Sequence, residues 1–177
     1  MAEAYAIELT YTFFPLHPDT PAEGLLLSEL FRGRRVDLDA LYARMKGLMD
    51  AEGLPYSRRD RTYNSRLAQE LGKWGEDKVG EAVHEAFYRA AHVEGLNLAE
   101  RSVLLDVVER AGLSRQEADQ VLTQRTFQSA VDADWRRALD LGVTGIPTFV
   151  AGRSGVVGAQ PYAALEELVQ AAGAKRR

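Results

Sequence analysis

β-type patterning is confined to the two ends of this chain, and the residues between them are periodic like helix. Near the N-terminus, Ile7, Leu9, Tyr11 and Phe13 alternate with Glu8, Thr10 and Thr12. Side chains on a pleated backbone switch faces at each residue, so this spacing predicts a half-buried strand over Tyr5–Phe13. Pro15, Pro18 and Pro21 then end it by removing ladder donors. Near the C-terminus, Ile146–Val150 is a β-rich run carrying Pro147, Gly152–Gly155 is turn chemistry, and Val156-Val157 returns as a short strand. Any sheet must therefore be assembled from parts distant in sequence. The expected organisation is α/β, with an incomplete sheet portion made of residues 1–23 and 143–177 and an inserted helical domain over 24–142.

Within that insert, three apolar stripes recur at spacings of three and four. They are Leu38/Leu41/Met45/Leu48/Met49, Val79/Val83/Ala86/Phe87/Ala90 and Val103/Leu104/Val107/Val108. Gly112 is the expected stop of the third. Asn97 with Glu100, and Ser114 with Glu117, have the spacing of a capping box, the serine pair being the better example. From Ser114 the helix is expected to continue through Phe127, Val131, Trp135, Ala138 and Leu139 to Gly142. Gln160-Pro161 reads as an N-cap followed by proline at the first helical position, and Tyr162, Leu165, Leu168 and Val169 form the apolar face of a closing helix. Lys175-Arg176-Arg177 reads as a frayed tail.

Composition removes several classes of function. None of the 177 residues is a cysteine, so the chain encodes no disulfide, thiolate metal site or cysteine nucleophile. The formal charge is −4, without the basic surplus expected of a nucleic-acid binder. No apolar run approaches the ~18 residues of a membrane span, and no charged stretch followed by an apolar block opens the chain. The expectation is a cytoplasmic protein with no nucleic acid and no membrane as partner.

The segment Leu141–Val150, with its Gly145-Ile146-Pro147 core, followed by Val157-Gly158-Ala159-Gln160-Pro161, resembles the end of a DsbA-like thioredoxin domain. The similarity is to the FrnE-like branch, related to 2-hydroxychromene-2-carboxylate isomerases and kappa-class glutathione transferases. Phe14–Gly24 resembles the stretch after that family's second strand, and Ala86–Ala90 through Val93–Asn97 its helical insert. The departure is as informative as the match. Family members open with a strand and a Cys-x-x-Cys, or a serine variant, at the first helix, and this chain resembles them only from the second strand onward. The resemblance implies thiol–disulfide oxidoreductase or glutathione-dependent isomerase activity, with no catalytic residue encoded here. It also implies that Tyr5–Phe13 lacks its usual neighbour, an exposed apolar edge. A second copy could fill the place by exchange, giving a homodimer; a separate polypeptide or upstream segment could supply the strand; or Tyr5–Phe13 could move into the vacancy.

The resemblance also nominates site residues. It implies a cis bond between Ile146 and Pro147, with the backbone before the proline pairing with a bound peptide or small thiol such as glutathione; read without it, Pro147 is a trans proline opening an edge strand. Gly158, Ala159 and Gln160 precede a helix N-terminus suited to an anionic group, or simply begin the helix. Asn64 resembles an asparagine near the ligand cleft of isomerase relatives, or is an ordinary N-cap. No cofactor is required, though glutathione can be accommodated. His17, His84 and His92 do not converge on a metal site, His84 and His92 being too far apart for a paired-histidine helix. Arg32, Arg34 and Arg35, with Arg58, Arg59 and Arg61, form two basic clusters. They read as a phosphate or acidic-partner patch, or as a solvated surface shared with Asp37, Asp39 and Asp60.

Overall fold

The computed structural model describes residues 1–177. It divides into two compact units, residues 17–131 and residues 1–16 with 132–177.

The unit of residues 17–131 is built mostly of helices. A two-residue ladder, β1 (Leu25–Leu26) with β2 (Arg61–Thr62), pairs Leu25 with Thr62 and Leu26 with Arg61. Between these strands lie α1 (Leu27–Leu30) and α2 (Leu38–Ala51). Asp37 starts α2, its Oδ1 accepting from the N–H groups of Asp39 and Ala40, both at 3.0 Å. The helices α3 (Arg66–Val79), α4 (Ala82–His92), α5 (Arg101–Arg110) and α6 (Arg115–Gln124) follow. Two of the expected stripes, those on α4 and α5, close on α3 and α6: Leu71, Trp74, Val83, Phe87, Leu104, Val108, Leu113, Val121 and Leu122 form a single buried cluster. Each such side chain contributes about 1.5–3 kcal/mol relative to exposure. The expected stripe on α2 stays outside that cluster, with no buried residue in that helix and Leu41 and Leu48 left 41% and 43% exposed. Gly75 lets α3 and α4 approach, since a Cβ there would lie 2.8 Å from Val83 Cγ2 and 2.9 Å from Leu113 Cδ1.

Helix boundaries follow local chemistry. Ser114 Oγ accepts from the Glu117 N–H at 3.3 Å and starts α6 as expected. α5 ends at Arg110, with Gly112 at φ 82°, the left-handed region that suits glycine. At Asn97 the outcome differs from expectation. Its side chain bonds the Ala99 N–H, the Ala22 carbonyl and Glu100 Oε1, and the helix starts only after Glu100.

The core contains one carboxylate. Glu70 on α3 is fully buried and receives Arg66 Nε at 2.8 Å, Arg125 Nε at 2.8 Å and Arg125 Nη2 at 2.6 Å. Arg125 ends α6 in the left-handed region at φ 53°. The last inserted helix, α7 (Gln128–Asp140), begins in this unit and continues into the other.

In the unit of residues 1–16 and 132–177, β3 (Thr148–Ala151) and β4 (Ser154–Val157) form an antiparallel hairpin. Thr148 pairs with Val157 and Ala151 with Ser154, and Gly152 takes φ 61° at the turn. Helix α8 (Tyr162–Ala171) packs on both strands.

The expected strand over Tyr5–Phe13 does not form. Only Tyr5 makes a ladder contact, an isolated antiparallel bridge to Arg176. Its two backbone bonds run from Ala6 N–H to the Lys175 carbonyl and from Arg177 N–H to the Ala4 carbonyl, at 2.8 and 3.1 Å. Residues 7–13 pair with no strand. The alternation is in the sequence, but a strand needs a neighbour for its donors and acceptors, and the chain places none beside this segment. Leu9 and Tyr11 remain 57% and 44% exposed.

The same bridge corrects the frayed tail. The Tyr5 ring is 1% exposed, and its hydroxyl donates to Glu166 Oε1 at 2.6 Å. That hydroxyl accepts from Gln170 Nε2 at 2.5 Å and Arg176 Nε at 3.0 Å, so α8 and the C-terminus are pinned to residue 5.

Candidate functional site

The turn before β3 is fixed by its own side chain. Thr148 Oγ1 donates to the Gly145 carbonyl at 2.7 Å, folding residues 145–148 back on themselves. Between them the Ile146–Pro147 peptide bond is cis. The Pro147 carbonyl then accepts from the Gly158 N–H at 2.7 Å, extending the β3–β4 ladder by one bond. That bond unites two regions nominated from sequence, Ile146-Pro147 and Gly158-Ala159-Gln160. Gly158 takes φ 88°, which lets the chain leave β4 sharply toward α8.

Ile146 is the open position in this arrangement. Its side chain is 56% exposed, and its backbone N–H and carbonyl take no partner within the chain. An exposed backbone with free donor and acceptor beside a strand is what an incoming chain needs for pairing. Beyond it, Val150 and Val157 leave an exposed apolar surface on one face of the hairpin, and Phe149 lies on the other.

Gln160 does not point its amide toward a ligand. Its Nε2 donates to the Val157 carbonyl at 2.6 Å, closing the loop into α8. The helix starts one residue later than expected, with Pro161 as N-cap and Tyr162 first. The N–H groups of Ala164 and Leu165 both return to the Pro161 carbonyl, while those of Tyr162 and Ala163 take no acceptor. Two free amides and the helix dipole thus sit at the end of the Gly158–Gln160 loop.

Asn64 lies in the other unit and is committed there. Its Nδ2 donates to the carbonyls of Pro18 at 3.0 Å and Thr20 at 2.9 Å, and its Oδ1 accepts from the Arg66 N–H at 2.9 Å. Both amide hydrogens are spent on holding the proline-rich turn to the start of α3, whose N-cap is Ser65. Asn64 acts as a staple.

Thr148 was not among the residues nominated from sequence. The signal for it was available: a threonine three residues after a glycine carbonyl it can reach, next to a proline that restricts the backbone. No sulfur nucleophile adjoins any part of this loop, because the chain has no cysteine. What remains is a fixed proline turn, an open backbone at Ile146, an apolar hairpin face and a helix start with free amides. It can bind an extended chain or an anionic terminus, and it cannot transfer a disulfide unaided.

A sheet hairpin preceded by a cis-proline turn and closed by a helix, with a helical insert in the chain before it, defines a thioredoxin-like α/β protein. The sequence profile of the DSBA-like thioredoxin domain matches residues 1–170. This chain belongs to the DsbA-like thioredoxin-domain family. Among solved structures, it is similar to a probable DsbA oxidoreductase, SCO1869, from Streptomyces coelicolor. The identity is 29% and the TM-score 0.81, covering 94% of this chain and 75% of that one. It also matches the cytosolic disulfide reductase DsbM from Pseudomonas aeruginosa, solved with GSH, at 24% identity and TM-score 0.49, over 74% of this chain and 70% of that one. No curated protein sequence matches the chain. No helix is long and apolar enough to cross a membrane.

Proposed function

We propose that residues 1–177 are the substrate-holding part of a DsbA-like oxidoreductase of the FrnE branch. They supply a proline-bordered cleft for an extended peptide or for glutathione, and the attacking sulfur comes from outside these residues. The observation that carries this reading is Ile146: half-exposed, next to a cis proline, with both backbone polar groups open. A ligand strand would bond to that backbone, and its acidic end would meet the free amides of Tyr162 and Ala163 beyond Gly158, Ala159 and Gln160. Compartment enters the proposal as well: a cytosolic thiol pool fits a cysteine-free scaffold that meets glutathione.

Calorimetry with glutathione and with an unfolded, disulfide-containing peptide tests it. The expected result is saturable binding that Ile146→Asp weakens by roughly tenfold, since a charge is placed where an apolar or neutral chain must dock. Insulin reduction by the chain alone should stay at background. Turnover comparable with that of an intact relative would falsify the proposal, and absence of binding to both probes would remove the cleft reading.

A second reading rests on the segment that alternates like a strand but joins no ladder. Residues 7–13 present Leu9 and Tyr11 to solvent and pair with no strand, so two copies could complete each other's sheets as a homodimer. Sedimentation at micromolar concentration separates the cases: a cooperatively folded monomer excludes the dimer.

A further inference from the structure

The two faces of α2 differ in what they touch. Its inner stripe, Leu38, Tyr42, Met45 and Met49, is half-buried. The Tyr42 ring stacks on Tyr56 at 6.0 Å, and Met49 Sδ accepts from the Tyr88 hydroxyl on α4 at 3.9 Å. These contacts seat the helix and leave its opposite side to solvent. Leu41 and Leu48, seven residues apart and both exposed, lie along one line of that side. The end of the helix adds to it. Gly53 N–H bonds the Asp50 carbonyl and Leu54 N–H the Met49 carbonyl, at 3.1 and 2.9 Å, with Gly53 at φ 68°. That turn returns Leu54, 49% exposed, to the last turn of α2.

Arg44 stands between the two leucines, three residues after one and four before the other, so the three side chains share a ridge. The positions three and four away on either side are Ala40, Leu41, Gly47 and Leu48, none of which can pair with a guanidinium. The other charges of the helix are committed. Asp37 caps its N-terminus, Asp39 pairs with Arg58, and Lys46 Nζ reaches Asp50 Oδ2 at 2.6 Å. Arg44 is exposed, with no ion pair and no side-chain hydrogen bond.

We propose that this outer face of α2 docks an amphipathic helix of a partner protein, one that carries a carboxylate within its own apolar stripe. Two leucines with an unpaired arginine between them are complementary to apolar residues flanking an Asp or Glu at the same spacing of three and four. Closing the leucines over that ion pair removes water from it, which strengthens the contact and penalises a partner that lacks the carboxylate. Ala40 and Gly47, beside the ridge, let the partner's backbone come near. A second copy of this chain fits badly. A two-fold axis that sets Leu41 against the copy's Leu48 puts the two Arg44 side chains together, with no carboxylate between them. An anionic membrane fits badly too, because Arg44 is a single cation and Asp39, Asp50 and Glu52 are also exposed. The helix is about 21 Å long, so one face covers less than the roughly 800 Å² of a standard interface, and the complex exchanges quickly.

The test uses two synthetic helical peptides of about the length of α2, each with a leucine stripe, one with glutamate and one with lysine at its centre. Fluorescence anisotropy of the labelled peptides against the full chain should show saturable binding of the glutamate peptide, with the lysine peptide weaker by roughly tenfold. Arg44→Glu should reverse that order, which an arginine serving only solubility would not do. Leu48→Ser should weaken the glutamate peptide. Arg44 and Leu48 are both exposed, so each variant keeps the fold, and its circular dichroism should match the parent's. The proposal is overturned if the glutamate peptide does not bind, if both peptides bind alike, or if Arg44→Glu leaves their order unchanged. Sedimentation showing a dimer that Leu48→Ser dissociates would assign the face to a second copy. Flotation with phosphatidylserine vesicles that Leu48→Ser abolishes would assign it to a membrane, and either result overturns the partner helix. None of these readouts depends on the cleft at Ile146.

Discussion

Glu70→Gln should be among the most damaging conservative substitutions in the chain. The Glu70 side chain is 0% exposed, while its partners Arg66 and Arg125 are 16% and 39% exposed. Breaking a buried ion pair by removing one charge costs about 3–5 kcal/mol, mostly because the partner stays buried and unpaired. Here Arg125 can turn back to water, so the expected cost is at the lower end, about 3 kcal/mol. The ion pair also holds Arg125 in the left-handed region at φ 53°, a conformation that costs a non-glycine residue about 1–2 kcal/mol. Arg125→Gly alone removes the ion pair and destabilises. In the Glu70→Gln background, with little ion pair left to lose, the same change relieves strain and should stabilise by about 1 kcal/mol. Urea denaturation of the four proteins, followed by far-UV circular dichroism, measures the cycle. The acid side gives a second reading. Burial pushes the Glu70 carboxyl up, but hydrogen bonds from Arg125 and Arg66 outweigh it and leave it below the usual 4.5. The unfolded chain therefore binds the proton more readily, and the contribution of Glu70 is full above about pH 4.5 and fades as pH falls through the lowered folded value. A cost for Glu70→Gln under about 1 kcal/mol, or an Arg125→Gly effect of the same sign in both backgrounds, would refute this account.

Gly75→Ala gains up to about 1 kcal/mol of helix propensity. Its Cβ meets Val83 Cγ2 at 2.8 Å and Leu113 Cδ1 at 2.9 Å, so the net result expected in urea titration is a loss of about 1–2 kcal/mol. His92 is lowered to about 4, by burial first and by Arg59 second, so the folded state keeps it neutral while the unfolded state protonates it near 6.5. Stability should thus fall between pH 6.5 and 4 by up to about 3 kcal/mol, and His92→Phe should flatten that slope in the same measurement. Amide exchange should show Ala6 protected by its bond to the Lys175 carbonyl, with Glu8, Leu9, Thr10 and Thr12 exchanging close to the unprotected rate. Concentration-dependent protection of those four would instead reveal a partner strand.

Features set by neighbouring residues were legible in the sequence. The β3–β4 hairpin follows from Ile146–Val157, the start of α6 from Ser114, the end of α5 from Gly112, and the core from stripes such as Val83/Phe87/Ala90. Features that need a remote partner were not. Tyr5–Phe13 has strand alternation yet no strand, because pairing depends on what lies alongside. The C-terminal tail is held by residues 4–6 and by Glu166, and Glu70 is tolerated in the core only through Arg66 and Arg125. The candidate site divides the same way. Ile146, Pro147 and Gly158 are close in sequence or joined by one ladder bond, so their association could be anticipated. The commitment of Asn64 to Pro18 and Thr20 spans more than forty residues and left no local mark.

The open backbone at Ile146 and residues 7–13, which join no ladder, belong to the same unit. If that unit were a finished fold whose surface had been remodelled for another task, its exposed extended segment should carry charges, bulges or proline to block edge pairing. Residues 7–13 carry one charge, Glu8, and keep alternating Ile7, Leu9, Tyr11 and Phe13. Their far end is held by the Phe13 N–H, which donates to Asp134 Oδ2 at 3.0 Å, and their near end by the Tyr5 bridge. A segment tethered at both ends that joins no ladder between them retains the alternation of a strand. A strand added there would bury Leu9 and Tyr11, worth about 1.5–3 kcal/mol for each side chain fully covered. A polypeptide that pairs with residues 7–13 should therefore raise amide protection at Glu8, Leu9, Thr10 and Thr12 in a concentration-dependent way, and a segment that merely runs over the surface should not respond.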